Sequence, residues 1–555
     1  MRICVLGLLF LALGGTRTAG AQGLPVDVAR RVDSVFVALD KPTSPGCALG
    51  IYNAGQVAYT RGYGMANLEH GVPITPQTVF DLGSTSKQFT AMSVLLLEEE
   101  RKLSLDDDVR KWIPELPRYA KPVTIRHLLH HTSGLRDYLT LMWLRGVNFD
   151  GVTTATDAVS IITRQRETNF EPGSEYLYSN SGYFLLSEIV RRVSGKSLAD
   201  FARERIFTPL GMEVTHFHDD HTMIVPRRAT GYAPRTGGAF RISMSGFEQI
   251  GDGSVMTTVE ELARWDGNFY TGSVGGRQLL ARMETRGSLT SGRELDYAFG
   301  LVVGNYRGLR TIRHGGSWAG YRADLLRFPE ERTSIAVLCN LTTAAPGRLA
   351  QRVADVVLAG RLSPPVIATT AVPGSPGSVR RDRSELARYV GAYRHIPTEE
   401  IREIILRGDT LMVDYGDERS VLVPLGTGRF AVQGSSWEIS FPGMALVEHV
   451  PGRPDVRFGR FEREQLTAAD LASYAGAYSS EELDVHWTIV ADTTGIIVRI
   501  PGGDTLRLAP TTHDSFAGGG IALRFVRERG RITGAKLSAG RVRNISFIRD
   551  AARIR

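Results

Sequence analysis

The stretch "FDLGSTSKQFTAMSVLLLEEE", residues 80–100, sets Ser84 three residues ahead of Lys87 at the mouth of an apolar helix. Lysine is scarce in this chain. Only Lys41, Lys87, Lys102, Lys111, Lys121, Lys196 and Lys536 occur among 66 basic residues, so arginine is the default cation. With so few lysines, fewer than about one Ser-x-x-Lys is expected by accident. Serine is also a preferred N-cap and lysine is common on helices, so the pair alone fits an ordinary helix start. Its position adds chemistry. A first-turn serine has a free backbone N–H and the positive end of the helix dipole beside it, which favours an oxyanion on a bound carbonyl. Lys87, one turn on, shares its helix face.

A serine hydroxyl is a poor nucleophile without a base. "FEPGSEYLYSNSGY" (residues 170–183) places Tyr178 and Asn180 two apart, after a Pro-Gly turn and before a helix, where a loop side chain is held predictably outward. "IRHGGSWAGY" (residues 312–321) places His314 on a strand ahead of Gly315 and Gly316, whose missing side chains would let a substrate backbone lie against the strand edge.

Ser84-x-x-Lys87, Tyr178-x-Asn180 and His314-x-Gly316, in this order, resemble the three motifs of the serine β-lactamase and penicillin-binding-protein superfamily, in its class C branch. "TIRHLLHHTSGL", "EPGSEYLYSNSGY" and "TPLGM" are similar to segments of the same family, and the likeness runs over about residues 28–359. The resemblance implies a catalytic domain of α/β (α+β) class, an antiparallel sheet flanked by helices. It implies Ser84 as nucleophile of an acyl-enzyme, with Lys87 and Tyr178 as activator and general base or acid, in either order. It implies Asn180 holding Lys87 and the substrate amide, and the N–H groups of Ser84 and Ser317 as the oxyanion hole. Gly315, Gly316 and Trp318 would line the substrate, and neither cofactor nor metal is called for. Relatives that hold a substrate carboxylate use a charged lysine where His314 stands. A largely neutral histidine points instead to amides, short D-amino-acid peptides or esters whose recognition needs no free C-terminus. A D,D-carboxypeptidase or β-lactamase, and a catalytically weak penicillin-binding or cell-wall-sensing protein, are the alternatives. One departure from the family pattern is "GDGSVMTTVEELARW" (residues 251–265), where Asp252 and Ser254 replace a smaller, glycine-rich stretch.

The 555 residues exceed one compact core. Arg2, the apolar run "ICVLGLLFLAL" and small residues Ala19 and Ala21 read as a signal peptide over 1–21. No later segment approaches membrane-spanning length, so the mature protein is expected to be periplasmic or secreted. The formal charge of +7, +5 without Arg2 and Arg17, is spread without a basic block, which argues against nucleic acid as a partner. A small molecule or short peptide is the expected partner, and a homo-oligomer is left open. After the leader only Cys47 and Cys339 remain, both in apolar strand-like runs. An oxidising compartment would let them pair, but the setting favours two buried free thiols.

"CALGIYNAGQVAYTRGYG" (47–64) reads as a hairpin turning at Asn53, Ala54 and Gly55; helices then dominate to about residue 259, and strands return from 297 to 340. One sheet drawn from both ends of residues 22–361 follows. Residues 362–382 form a Pro/Gly-rich linker. Beyond it "ELARYVGAYRH" (385–395) matches "DLASYAGAYSS" (470–480), aligning Tyr389, Gly391 and Tyr393 with Tyr474, Gly476 and Tyr478. Two copies of a small antiparallel barrel, 383–465 and 466–555, are predicted, similar to the lipocalin-like barrels of the family's D-aminopeptidases. By that likeness a loop near "FAGGG" (516–520) would approach the active site. Side chains are expected to fill the barrel interiors. "HFHDDH" (216–221) reads as a solvated loop rather than a metal site, and His127, His130 and His131 as capping and surface residues. Trp265 is read as core packing, whereas Trp318, after the third motif, is the better pocket residue.

Overall fold

Six antiparallel strands form the central sheet, in the order Val302–Tyr306, Leu309–Trp318, Tyr321–Phe328, Thr333–Cys339, Cys47–Asn53 and Gln56–Tyr63. The computed structural model describes residues 23–364, 382–415, 419–433, 437–450 and 455–550. The predicted leader and residues 365–381 of the predicted linker lie outside them.

The sheet closes a circuit in the chain, because Thr333–Cys339 pairs with Cys47–Asn53 in the register Cys47↔Cys339 to Asn53↔Thr333. Both strands are buried on both faces, which explains continuous apolar runs instead of strict alternation. Leu49, Ile51, Ile335 and Val337 meet Val32, Ala350 and Val353 of two helices, and Phe36 just beyond the first of them, on one face. Ala48, Tyr52, Ala336 and Leu338 join the helical core on the other. The helix Lys87–Glu99 lies within that core, with Lys87 through Leu97 all buried, as a helix apolar all round should be. It packs on Asn180–Ser194.

The expectation of free thiols is corrected: Cys47 and Cys339 are disulfide-bonded. They sit directly opposite on neighbouring antiparallel strands with Cα atoms 4.0 Å apart, a pairing that neither local run could reveal. The bond closes 292 residues of chain. Replacing both cysteines by serine should lower the unfolding free energy by about 2–4 kcal/mol in denaturant titrations. An unchanged midpoint would show that the bond adds nothing to stability.

Two closed eight-stranded antiparallel barrels follow, from Gly391–Arg394 to Val456–Phe461 and from Gly476–Ser480 to Val542–Arg549. The repeated tyrosines are buried in equivalent settings: Tyr393 Oη donates to the Tyr389 carbonyl at 2.9 Å and Tyr478 Oη to that of Tyr474 at 2.8 Å. Apolar side chains, among them Val413, Phe430, Ile439 and Phe458, occupy the first barrel's core. The second barrel shares one continuous apolar core with the catalytic domain, and Trp487 Nε1 donates to the Leu144 carbonyl at 3.3 Å. Among the described residues no helix is long and apolar enough to cross a membrane.

Candidate active site

Every residue from 78 to 97 is buried except Ser84, which is half-buried. Ser84 lies in a 3₁₀ turn, Gly83–Ser86, that runs straight into the helix beginning at Lys87. The turn is held by its flanks. The Asp81 carboxylate accepts from Gly83 N at 2.7 Å, and Thr85 Oγ1 donates to the His314 carbonyl at 3.1 Å. Gly83 has φ +49°, a left-handed conformation that glycine adopts without strain. Gly316 lies so close that a Cβ there would collide with the Leu82 carbonyl and come within 3.1 Å of Ser84 N. Gly315 and Gly316 both border the active-site cavity, but the bare Cα of Gly316 serves first to bring the strand, with Ser317 N, against the turn that carries Ser84.

Lys87 Nζ stands 3.1 Å from Ser84 Oγ, donates to Asn180 Oδ1 at 3.0 Å and donates to the Asp252 carbonyl. Burial pushes its ammonium down to about 7, Arg541 adding to the fall while Asp252 and Asp137 oppose it. The two oxygens from Asn180 and Asp252 can only accept, so they consume two N–H bonds. A neutral amine then has its lone pair left for the serine proton.

Tyr178 Oη is buried and finds no hydrogen-bond partner among the described residues. Burial raises its phenol well above the usual range, against smaller opposing pulls from Ser84 and Arg541. Leaving a buried hydroxyl unpaired costs about 1–3 kcal/mol, which is tolerable where a bound substrate supplies the partner. Asn180 opens the helix Asn180–Ser194, and its N–H donates to Asp137 Oδ2 at 2.7 Å.

His314 is buried, its ring pushed down to about 3 by burial and by the neighbouring Lys87. Its Nδ1 meets the Gly315 carbonyl at 2.7 Å and its Nε2 meets Tyr297 Oη at 3.0 Å. Its ring is therefore neutral and engaged on both nitrogens. Trp318 stacks obliquely on Phe247 and borders both the main cavity and a recess of about 50 Å³ beside Ser84. That recess is also bounded by Asp252 and Ser254. The departure at 252–254 therefore shapes a narrow annex next to Ser84, where the Asp252 carboxylate accepts from Tyr138 Oη at 3.1 Å.

Two of the three histidine expectations change. His127 does cap, closing a capping box with Thr124. His130 and His131 are buried, not on the surface. His131 lies 4.1 Å from the Tyr178 ring, accepts from Ser179 N at 3.2 Å on Nδ1 and is held neutral by burial. No spacing in "RHLLHH" signals this, because the chain turns at His131 with φ +57° and leaves the helical periodicity. Tyr297, buried against His131, Tyr178 and His314, was likewise not legible. In "HFHDDH" only Asp220 and His221 are solvated; His216–Phe217 forms a strand against Val255–Thr257, and His218 is buried. Trp265 is fully buried in the core.

The barrel loop that reaches the site is not 516–520. Residues 518–520 line a separate cavity of about 280 Å³ between the barrels, with Thr398–Glu403. Arg541, in the turn between strands Arg531–Ala539 and Val542–Arg549, borders the active-site cavity with Ser84, Tyr178 and His314. Trp437 and Val450 of the first barrel border it too, so three domains enclose about 1050 Å³.

The profile of the Beta-lactamase family matches residues 32–359, more than half of the chain. The chain belongs to the Beta-lactamase family. Among relatives, a D-aminopeptidase of Gluconobacter oxydans is 27% identical over 530 residues, covering 91% of this chain and 96% of its own. Penicillin-binding protein 4* of Bacillus subtilis is 29% identical over 411 residues, covering 70% of this chain and 88% of its own. Among solved structures, an octameric penicillin-binding protein homologue from Pyrococcus abyssi shares the fold with a TM-score of 0.56 at 24% identity, over 78% of this chain and all of its own. Within the Beta-lactamase family this chain therefore resembles, along most of its length, proteins that extend beyond the catalytic domain.

Proposed function

We propose that this chain is a serine hydrolase acting on amides or short D-amino-acid peptides, and on small esters, through an acyl-enzyme on Ser84. The observation that carries the reading is the amine of Lys87, depressed by burial and left with one free position that faces Ser84 Oγ at 3.1 Å. Lys87 takes the serine proton as Oγ bonds to the carbonyl carbon, and the oxyanion rests on the N–H groups of Ser84 and Ser317. Tyr178, kept a neutral phenol, donates a proton to the departing nitrogen and is restored by the ammonium of Lys87. Water then attacks the ester, the oxygen of Ser84 regains its proton, and the acid is released. Asn180 holds Lys87 in place. D-aminopeptidases aligned over 91% of the chain support an amide or peptide substrate. The recess of about 50 Å³ beside Ser84 suits a small side chain such as that of alanine. Export follows from the leader-like residues 1–21, and the disulfide suits an oxidising compartment.

The test is to incubate the protein with p-nitrophenyl esters and D- and L-amino-acid anilides, quench, and map the adduct by mass spectrometry. An acyl group on the peptide containing Ser84, with turnover of D-anilides that Ser84→Ala removes, is the expected result. An adduct elsewhere, or stable labelling by a penicillin with no turnover of any amide or ester, sinks the reading.

A further inference from the structure

The third motif offers no cation to a substrate. His314 is neutral, and both ring nitrogens are engaged within the protein. The carboxylates bordering the cavity are matched by arginines: Asp296 and Glu294 lie 3.0 and 3.3 Å from Arg286, and Asp324 pairs with Arg313. Arg293 stands exposed beside Glu294.

Arg541 is placed differently. Its guanidinium carbon lies 4.7 Å from the centroid of the Tyr178 ring, and its side chain is 42% exposed, at the edge of the cavity that holds Ser84. Among the described residues its ion partner is Asp137, at a distant 3.6 Å, and the Asp137 oxygens already accept from Asn180 N and Thr140 N.

The loop that carries it is clamped. Asn169 Nδ2 donates to the Arg541 carbonyl at 2.9 Å and Asn169 Oδ1 accepts from Arg543 N at 2.7 Å. The fully buried Arg136 donates to the Arg543 and Asn544 carbonyls at 3.1 and 3.3 Å, and to Glu482 at 2.6 Å. Packing over one ring would need no such anchorage, nor a guanidinium left open to the cavity. The cation is also felt at the chemistry, where it helps to lower Lys87 and His131.

We propose that Arg541 binds a free carboxylate of the substrate, about one residue from the scissile carbonyl, so that the second barrel makes this hydrolase select anionic amides or peptides. The planar fork of arginine suits a carboxylate bidentately. This inference rests on the serine-hydrolase reading, and it reverses the expectation that a neutral His314 frees recognition from a carboxylate: the charge comes from another domain.

Binding is measured first, by calorimetry on Ser84→Ala protein, with N-acetyl-D-alanyl-D-alanine and its C-terminal amide. The acid should bind roughly 10- to 100-fold more tightly. Arg541→Ala in that background should abolish the difference, Arg541→Gln should do the same while keeping the bulk of the side chain, and Arg541→Lys should restore part. Kinetics on otherwise wild-type protein then locate the carboxylate. The same peptide pair tests the leaving side, and N-succinyl- against N-acetyl-D-alanine p-nitroanilide tests the acyl side. A preference in either arm should vanish in Arg541→Gln mainly through KM. Equal binding of acid and amide, or a preference that survives both neutral variants, overturns the proposal. Turnover of p-nitrophenyl acetate judges the parent reading separately. If it proceeds through Ser84 without any carboxylate preference, only the role of Arg541 falls. If no ester or amide turns over, the hydrolase reading falls and calorimetry still decides Arg541.

Discussion

Lys87→Arg should be as inactive as Lys87→Met, with kcat for a D-amino-acid anilide lowered about 100- to 10,000-fold in both and KM little changed. The two substitutions separate two roles. If Lys87 served as a fixed cation that holds Tyr178 as phenolate, arginine would rescue much of the rate. As a base it must lose a proton, which a guanidinium does not do in a protein. The geometry supports the base. Asn180 Oδ1 and the Asp252 carbonyl accept two N–H bonds, and the third position on the nitrogen faces Ser84 Oγ. The pH profile carries the same claim. Burial favours the neutral amine and brings Lys87 down to about 7, so the active fraction grows as pH rises through that value. kcat/KM should show an acid limb near pH 7. Removing Arg541 takes away a cation that disfavours the ammonium, so the limb should move to higher pH. Retention of activity within tenfold in Lys87→Arg, or a rate flat from pH 5 to 9, would assign the base elsewhere.

Arg136→Met should destabilise the protein by about 3–5 kcal/mol, the cost of leaving one member of a buried ion pair alone. Arg136 is fully buried, with Nη1 2.6 Å from Glu482 Oε1, and that contact joins the catalytic domain to the second barrel. Among the described residues Glu482 would retain weaker donors, Arg166 N at 3.0 Å and Ser546 N at 3.4 Å. Denaturant unfolding followed by tryptophan fluorescence measures the loss. Trp487, whose indole donates to Leu144, reports the same interface. Adding Glu482→Leu should recover part of the stability, since two apolar groups replace a charge pair at little cost. Recovery should stay incomplete, because the Arg543 and Asn544 carbonyls also lose their donor. The double variant should therefore hold Arg541 loosely and lose preference for anionic substrates even where it folds. A single variant as stable as the wild type would show that the barrel is not anchored through Arg136.

Much of the site was legible because its chemistry is local. One turn of helix sets Lys87 over Ser84, and a Pro-Gly turn ahead of a helix presents Tyr178 and Asn180. The duplicated tyrosine pattern foretold two barrels, because each copy makes the same hydrogen bond from its buried tyrosine to the backbone four residues back. His131 and Tyr297 stayed hidden for the opposite reason. Each resembles an ordinary core aromatic until distant elements fold it against Tyr178.

The amino-acid order by itself determined the spacings within each motif, since helix pitch and turn chemistry act over a few residues and set Lys87 one turn from Ser84 and Asn180 at the head of its helix, and the kind of reaction was read from the resemblance those motifs carry. Tertiary structure alone decided that Cys47 bonds to Cys339 and that Arg541 of the second barrel borders the cavity that holds Ser84. Those partners lie hundreds of residues apart or in separate domains. Their meeting is set by strand register and by packing between domains, which no local period encodes.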